Sequence, residues 1–209
     1  MVHSIDWGTL TTVSTRLEAT IQKSGDGTEY IKIDHVDEGG IKLEDTKKVI
    51  PVPFGNTYSF VDGSCSKSTG TPYIYGTFED QTFKDMLKNP AVSLSLSENA
   101  ISSTCGGSSL KSCVVSSSGM GDPESPVCAR LVLSGVLVIV DSKKNQEEYK
   151  MAIEALFQRH PSMAKWPRDH GWVVAKLDVQ DIWFIDFFGG ASILDVDTYK
   201  AVNLEEDTI

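Results

Sequence analysis

Alternation of apolar and polar positions runs through most of the chain and predicts a protein built mainly of strands. The cleanest case is Ala91 to Ser97, where Val92, Leu94 and Leu96 alternate with Ser93, Ser95 and Ser97. One face of that strand is core and the other is water or an interface. Trp7 to Thr15 sets Leu10, Thr12 and Ser14 against Thr11, Val13 and Thr15 and predicts a half-buried opening strand. Tyr58 to Gly63 predicts another, preceded by Pro53 and ended by a turn, with a polar loop from Ser64 to Thr71 before a short strand at Tyr73-Ile74-Tyr75. Arg130 to Asp141 is apolar on both faces, as a strand is when one side fills a barrel and the other lies beneath a helix or a partner subunit. Two closing strands are expected, Trp172 to Leu177 and Ile182 to Phe188, the second ended by Gly189-Gly190.

Helical spacing occurs in fewer places. Phe83, Met86 and Leu87 mark a short helix that Asn89-Pro90 stops. Tyr149, Ala152, Ile153, Leu156 and Phe157 form an i, i+3, i+4, i+7, i+8 stripe that must pack on the sheet, with Asn145 and Glu148 as a variant capping box and Arg159-His160-Pro161 as the break. A last short helix is expected around Thr198 to Val202, in a C-terminal tail over 191–209 that frays at its end. Two excursions interrupt the pattern. Gln22 to Lys48 is charged, with turn signals at Gly25-Asp26-Gly27 and Gly39-Gly40 and one short strand near Tyr30 to Ile33. Glu98 to Val127 is a Ser-, Gly- and Cys-rich loop far longer than a hairpin needs, a length that points to function or mobility. Short strands with a few helices and no βαβ alternation predict a mixed β protein with peripheral helices, an α+β antiparallel barrel.

With 209 residues, 40% of them hydrophobic, the chain can bury one sizeable core, and a single domain over 1–209 is expected. The longest apolar run, Leu131 to Val140, is broken by Ser134 and Gly135 and falls well short of the roughly 18 residues of a membrane span. The net charge of −10 repels a phosphate backbone and excludes nucleic acid as an expected partner. No charged and apolar leader layout opens the chain, since Val2-His3-Ser4-Ile5-Asp6-Trp7 is mixed in polarity. The four cysteines lack Cys-x-x-Cys spacing, which disfavours structural zinc, and Cys113 and Cys128 flank the Gly-rich loop as the candidate disulfide; Cys65 and Cys105 are left unassigned.

Residue runs at fixed spacing give the chain a specific resemblance. Phe157, Arg159-His160-Pro161, Met163, Trp166-Pro167, His170, Trp172, Ala175-Lys176-Leu177, Ile182-Trp183, Asp186 and Phe188-Gly189-Gly190 resemble the signature of the CREG family of secreted cellular-repressor glycoproteins. Trp7-Gly8 with Thr12 to Thr15, Pro53 to Asn56 with Ser59 to Gly63, and Asp122-Pro123, Ser125-Pro126 and Cys128 before Leu133-Ser134-Gly135 fit the same pattern. The resemblance implies a split barrel of the pyridoxamine-phosphate-oxidase-like, FMN-binding type, paired as a homodimer, with the flavin pocket blocked or unused. It also implies the secretory route, extracellular or lysosomal, a role in growth and differentiation, and action through a protein partner. The chain departs from the family in having no Asn-x-Ser/Thr acceptor, as Asn56, Asn89, Asn99, Asn145 and Asn203 all fail the third position.

The chemistry legible in the residues is sparse. A flavin phosphate must be met by Arg or Lys, and the stretch Pro53 to Tyr75 offers only Lys67, so no cofactor is expected unless Arg130, Arg159 or Lys176 converge on one. Flavin mononucleotide or haem in an oxidoreductase is the alternative. His160, before a proline at a helix end, and His170, before Gly171-Trp172, are assigned structural roles ahead of proton transfer. Asp186 lies in an aromatic strand and is expected to pair with Arg159 or Lys176. Arg159, His160, His170, Trp172, Lys176 and Asp186 are the cleft candidates, with no catalytic or metal residue assigned and no nucleophile elbow, His-Glu-x-x-His helix or phosphate loop.

Overall fold

A computed structural model describes residues 1–36, 50–108, 113, 122–125, 127–186 and 190–202. Six strands close on themselves: β1 (Trp7–Val13), β4 (Pro53–Ser64), β5 (Lys67–Gly76), β6 (Ala91–Ser97), β7 (Arg130–Ile139) and β8 (Val173–Ile185). Their order is β5-β4-β1-β6-β7-β8, every neighbour is antiparallel, and pairing of Tyr73 with Lys176 and Ile74 with Ala175 joins β5 to β8 and completes the barrel. β9 (Ala191–Ile193) adds to the free side of β8, and β2 (Leu17–Lys23) and β3 (Glu29–His35) form a separate hairpin.

The period-2 pattern places the core. Leu10, Phe60, Ile74, Leu94, Leu133, Leu177 and Ile182 are fully buried inside the barrel. α1 (Gln81–Lys88) adds Phe83 and Met86 to this core. Asp80 caps α1 by accepting the Thr82 N–H at 2.8 Å, and Pro90 prevents its continuation. α2 (Gln146–Arg159) lays Ala152, Ala155 and Leu156 on a second cluster with Val61, Tyr73 and Val174, on the outside of β4, β5 and β8. The short α3 (Val196–Lys200) is capped by Asp195 and tied to β5 by the Tyr199 hydroxyl, which donates to the Gly70 carbonyl at 2.6 Å.

Several expectations are corrected. The closing pair of strands is one thirteen-residue strand, β8. Asp178, Gln180 and Asp181 look like a break in sequence, but all three face solvent, and the register shift beside Gly135 absorbs Gln180 as a bulge. Gly135 is required there, since a Cβ would stand 2.0 Å from the Asp178 carbonyl oxygen. The polar stretch expected as a loop after Ser64 is largely the first half of β5, and the short strand expected near Tyr30 to Ile33 is β3, paired with β2, which ends as the first excursion begins. Asn145 makes no side-chain cap, and the reciprocal half of the box is absent too: the Asn145 N–H donates to the Asp141 carbonyl at 2.8 Å while the Glu148 carboxylate accepts from Tyr73 and Lys176. The end of the second closing strand at Phe188, the tail beyond residue 202, the second half of the first excursion, with its Gly39-Gly40 turn signal, and the middle of the second excursion apart from Cys113 lie outside the described residues.

Cys113 bonds to Cys128, and Cys65, in the β4–β5 turn, bonds to Cys105. The closed loops span 15 and 40 residues. In the chain-entropy picture such closures destabilise the unfolded state by roughly 3 and 4 kcal/mol.

Buried acids hold the ends of the barrel. Asp85 of α1 is fully buried and accepts from Thr12 Oγ1, Thr15 N, Thr15 Oγ1 and Gln81 Nε2 at 2.7 to 2.8 Å, which anchors α1 to the end of β1. Removing the carboxylate strands all four donors. Asp85→Ala is expected to lower unfolding stability by about 3 kcal/mol, and Asp85→Asn by about half as much because one amide oxygen still accepts. Urea denaturation of the two variants beside the parent measures both.

Candidate functional site

α2 positions two polar networks at its two ends. At its C-terminus the Arg159 side chain is only 3% exposed. Its Nε lies 3.6 Å from Asp6 Oδ1, its Nη2 donates to Cys105 Sγ, and Asp6 Oδ2 accepts from Thr104 Oγ1 at 3.0 Å. His160 donates through Nε2 to the Phe60 carbonyl of β4 at 3.1 Å. Asp62, also on β4, is fully buried between His3 Nδ1, at 2.8 Å, and the Ser68 hydroxyl. At the other end of α2, Glu148 Oε1 accepts from Lys176 Nζ at 2.6 Å and from the Tyr73 hydroxyl at 3.0 Å. Burial, and then the bond to Glu148, push the Tyr73 phenol above its usual range.

The segment after α2 builds an aromatic cleft. Pro161 prevents the helix from continuing, and two 3-10 turns bring Trp166 and Trp172 over Tyr75 of β5. Ring centroids are 4.8 Å apart for Trp166 and Trp172 and 5.1 Å for Tyr75 and Trp172, while Phe157 of α2 meets Tyr75 edge-on at 5.3 Å. The Trp172 indole N–H donates to the Pro167 carbonyl at 2.6 Å. Tyr75, Trp166 and Trp172, with Tyr58, Thr77, Asp80 and Met163, line a cleft of about 360 Å³. At its edge His170 is 40% exposed; its Nδ1 is 2.5 Å from Glu79 Oε2, and its carbonyl accepts from the Thr77 hydroxyl at 2.5 Å. The hydrogen bond to Glu79 and that residue's charge raise His170 above the ordinary 6.5. The Tyr58 hydroxyl donates to Asp80 Oδ1 at 2.5 Å, and burial with this bond raises its phenol as well.

A second opening of about 360 Å³ lies on the outer side of the barrel, between Trp7 of β1, Ser97 of β6, Arg130 of β7 and Trp183 of β8.

The cleft candidates therefore do not form one centre. Arg159 and His160 sit at one seam of α2, Lys176 at the other, and His170 and Trp172 at the aromatic cleft. Arg159 and Lys176, the partners expected for Asp186, are met by Asp6 and Glu148, and Asp186 is half-buried beyond the end of β8. Asp6, Asp62, Asp85 and Glu148 were not legible as partners. The only signal was an acid at a core-facing position of an apolar run, as at Asp62.

A flavin phosphate is a poor match for this arrangement. Lys67 stands exposed at the start of β5, and Arg159 and Lys176 are neutralised by internal carboxylates. Among the described residues, the cations expected to grip a dianion are thus dispersed or paired with acids, and Arg130 Nε and Arg159 Nη1 are each buried without a hydrogen-bond partner.

Residues 39–201 match the family described as CREG, beta-barrel. Protein CREG2 of Homo sapiens is 38% identical over 157 residues, covering 75% of this chain and 49% of that protein. Protein CREG1 of Mus musculus is 30% identical over 205 residues, covering 98% of this chain and 72% of that protein. The chain spans about half the length of the human and mouse CREG2 proteins it matches. A solved structure of a heme binding protein from Mycobacterium smegmatis shares the fold, with a TM-score of 0.55 and 14% identity over 95% of this chain and 56% of that one. The fold is thus the antiparallel split barrel of the pyridoxamine-phosphate-oxidase-like, FMN-binding type.

The Glu79 contact gives a pH signature. A histidine with a raised folded value keeps its contact fully below its unfolded value and loses it as pH climbs through the folded one. NMR titration of the His170 ring is expected to show a midpoint above 6.5, and Glu79→Gln to return it towards that value. An unchanged midpoint in the variant would remove Glu79 as the cause.

Proposed function

The chain belongs to the CREG family, and on that footing we propose that it acts without a redox cofactor, as a homodimeric barrel that presents a surface to a protein partner. One observation carries the non-enzymatic part: Arg159 and Lys176, the cations of the cleft signature, are engaged by Asp6 and Glu148 and offer no charge to a nucleotide phosphate. The contact surface is the segment 98–127, whose described parts are pinned by two disulfides, one to the β4–β5 turn and one to the residues leading into β7. Pairing uses the outer side of β7, where Val132 and Val136 are half-buried and Val138 is 39% exposed. The family resemblance and the disulfides favour the secretory route, where such bonds persist.

Haem binding is the second reading, favoured by the fold shared with the mycobacterial protein. A histidine-ligated haem needs an imidazole nitrogen free to coordinate iron. His3, His160 and His170 each direct a ring nitrogen at Asp62, the Phe60 carbonyl and Glu79, and the exposed His35 of β3 lines neither opening, which ranks this reading second.

The test combines the visible spectrum of the protein as purified from its native source with sedimentation equilibrium. The expected result is a particle of twice the chain mass with neither flavin bands nor a Soret band. A stoichiometric chromophore would replace the non-enzymatic reading with an oxidoreductase, and a monomer at micromolar concentration would remove the pairing.

A further inference from the structure

The two disulfides stand in opposite surroundings. Cys113 and Cys128 are 0% and 1% exposed, so their bond is closed to reagents from solution. Cys65 is exposed in the β4–β5 turn, and its partner Cys105 is half-buried. A thiol opens a disulfide only through a sulfur it can reach, which makes Cys65 Sγ the open end of this bond.

The inner sulfur is met by a buried cation. Arg159 Nη2 donates to Cys105 Sγ, and Arg159 Nη1 is buried without a hydrogen-bond partner. Asp6 approaches the guanidinium from its Nε side at 3.6 Å, and the other oxygen of Asp6 is taken by the Thr104 hydroxyl. A disulfide sulfur is neutral and a weak acceptor, so the oxidised form leaves the Nη edge poorly satisfied. A thiolate at Cys105 supplies the charge which that edge lacks, and a cation in contact with a cysteine favours its thiolate. The sulfur with the better-stabilised thiolate is the better leaving group in exchange. Exposure of one sulfur and a guanidinium on the other give the bond a direction.

Contacts nearby limit what opening it releases. Ser102 N donates to the Ser4 carbonyl at 2.8 Å and Ile101 bridges Ile5, so the chain just after β6 stays fixed to the N-terminal turn. β4 and β5 remain paired on both sides of the bulge, from Phe60 with Ile74 to Ser64 with Lys67.

We propose that Cys65–Cys105 is a thiol-exchange site, opened by a dithiol that attacks Cys65 Sγ and expels Cys105 as a thiolate held by Arg159, which frees the chain around Cys105 from the β4–β5 turn. In the first step a bond forms between the reductant's thiolate and Cys65 Sγ as the Cys65–Cys105 bond breaks, and its electron pair leaves on Cys105 Sγ. The reductant's second thiolate then closes on the first sulfur and releases Cys65. The dithiol is oxidised to a disulfide as both cysteines are reduced; one thiol proton passes to Cys65 and the other to solvent.

The test treats the folded chain with dithiothreitol without denaturant, quenches with iodoacetamide at intervals and maps the cysteines by peptide mass spectrometry. Cys65 and Cys105 are expected to be labelled about a hundredfold faster than Cys113 and Cys128. Glutathione, a monothiol, reports the direction: it is expected to be captured on Cys65, with the alkyl group on Cys105. Arg159→Gln is expected to slow reduction roughly tenfold, although the smaller side chain uncovers the bond. Thermal melting verifies that this variant folds, and the position of glutathione on the parent carries the test if it melts early. Glutathione on Cys105, equal labelling of the two pairs, or a folded Arg159→Gln reduced as fast as the parent would overturn the proposal.

Discussion

Charge neutralisation inside the protein governs what its surfaces can bind. The chain has 29 acidic and 19 basic side chains, and its fold draws cations inward to meet carboxylates that burial would otherwise leave uncompensated. The two ends of α2 show this directly. Arg159 is turned to Asp6 and the Cys65–Cys105 disulfide, and Lys176 is held with the Tyr73 hydroxyl on Glu148. Both contacts tie the helix to the barrel wall, and both withdraw positive charge from the surface. A family signature rich in Arg, His and Lys thus works here as a set of seams.

The barrel supplies the frame for these seams. Closure of β5 on β8 sets Tyr73 opposite Lys176, within reach of the helix that covers them. Disulfide loops then tether the excursion between β6 and β7 at two points, so that a segment with little secondary structure in its described parts is held against the β4–β5 turn and the start of β7. Acids without a cation, such as Asp85, are met by threonine hydroxyls and amide donors. The pairing is incomplete at single atoms: Asp6 Oδ1, Arg159 Nη1, Arg130 Nε and Ser97 Oγ are buried without a hydrogen-bond partner.

Local signals made much of the frame legible. The bounds of β6 follow from alternation alone, and the stripe on α2 from helical spacing, because in both the side-chain period reports burial directly. β8 was read as two strands because Asp178, Gln180 and Asp181 imitate a turn, and only pairing with β7 shows that a bulge accommodates them. The first half of β5 was read as loop because its serines and threonines pair with β4 instead of filling the core. At the candidate site, the chemistry-bearing residues were visible in sequence but their partners were not. Asp6 is 153 positions from Arg159 and Glu148 is 28 from Lys176, and only the closed barrel brings them into contact.

The central claim is that internal carboxylates have withdrawn the cations a flavin phosphate would need. Titrating flavin mononucleotide into the purified chain, with its fluorescence as the signal, tests that claim most directly. The account predicts no saturable quenching up to millimolar flavin, in the parent and in Arg159→Gln and Lys176→Gln alike. Stoichiometric quenching at micromolar flavin that either substitution abolishes would contradict it, by showing that these side chains leave Asp6 and Glu148 to hold a phosphate.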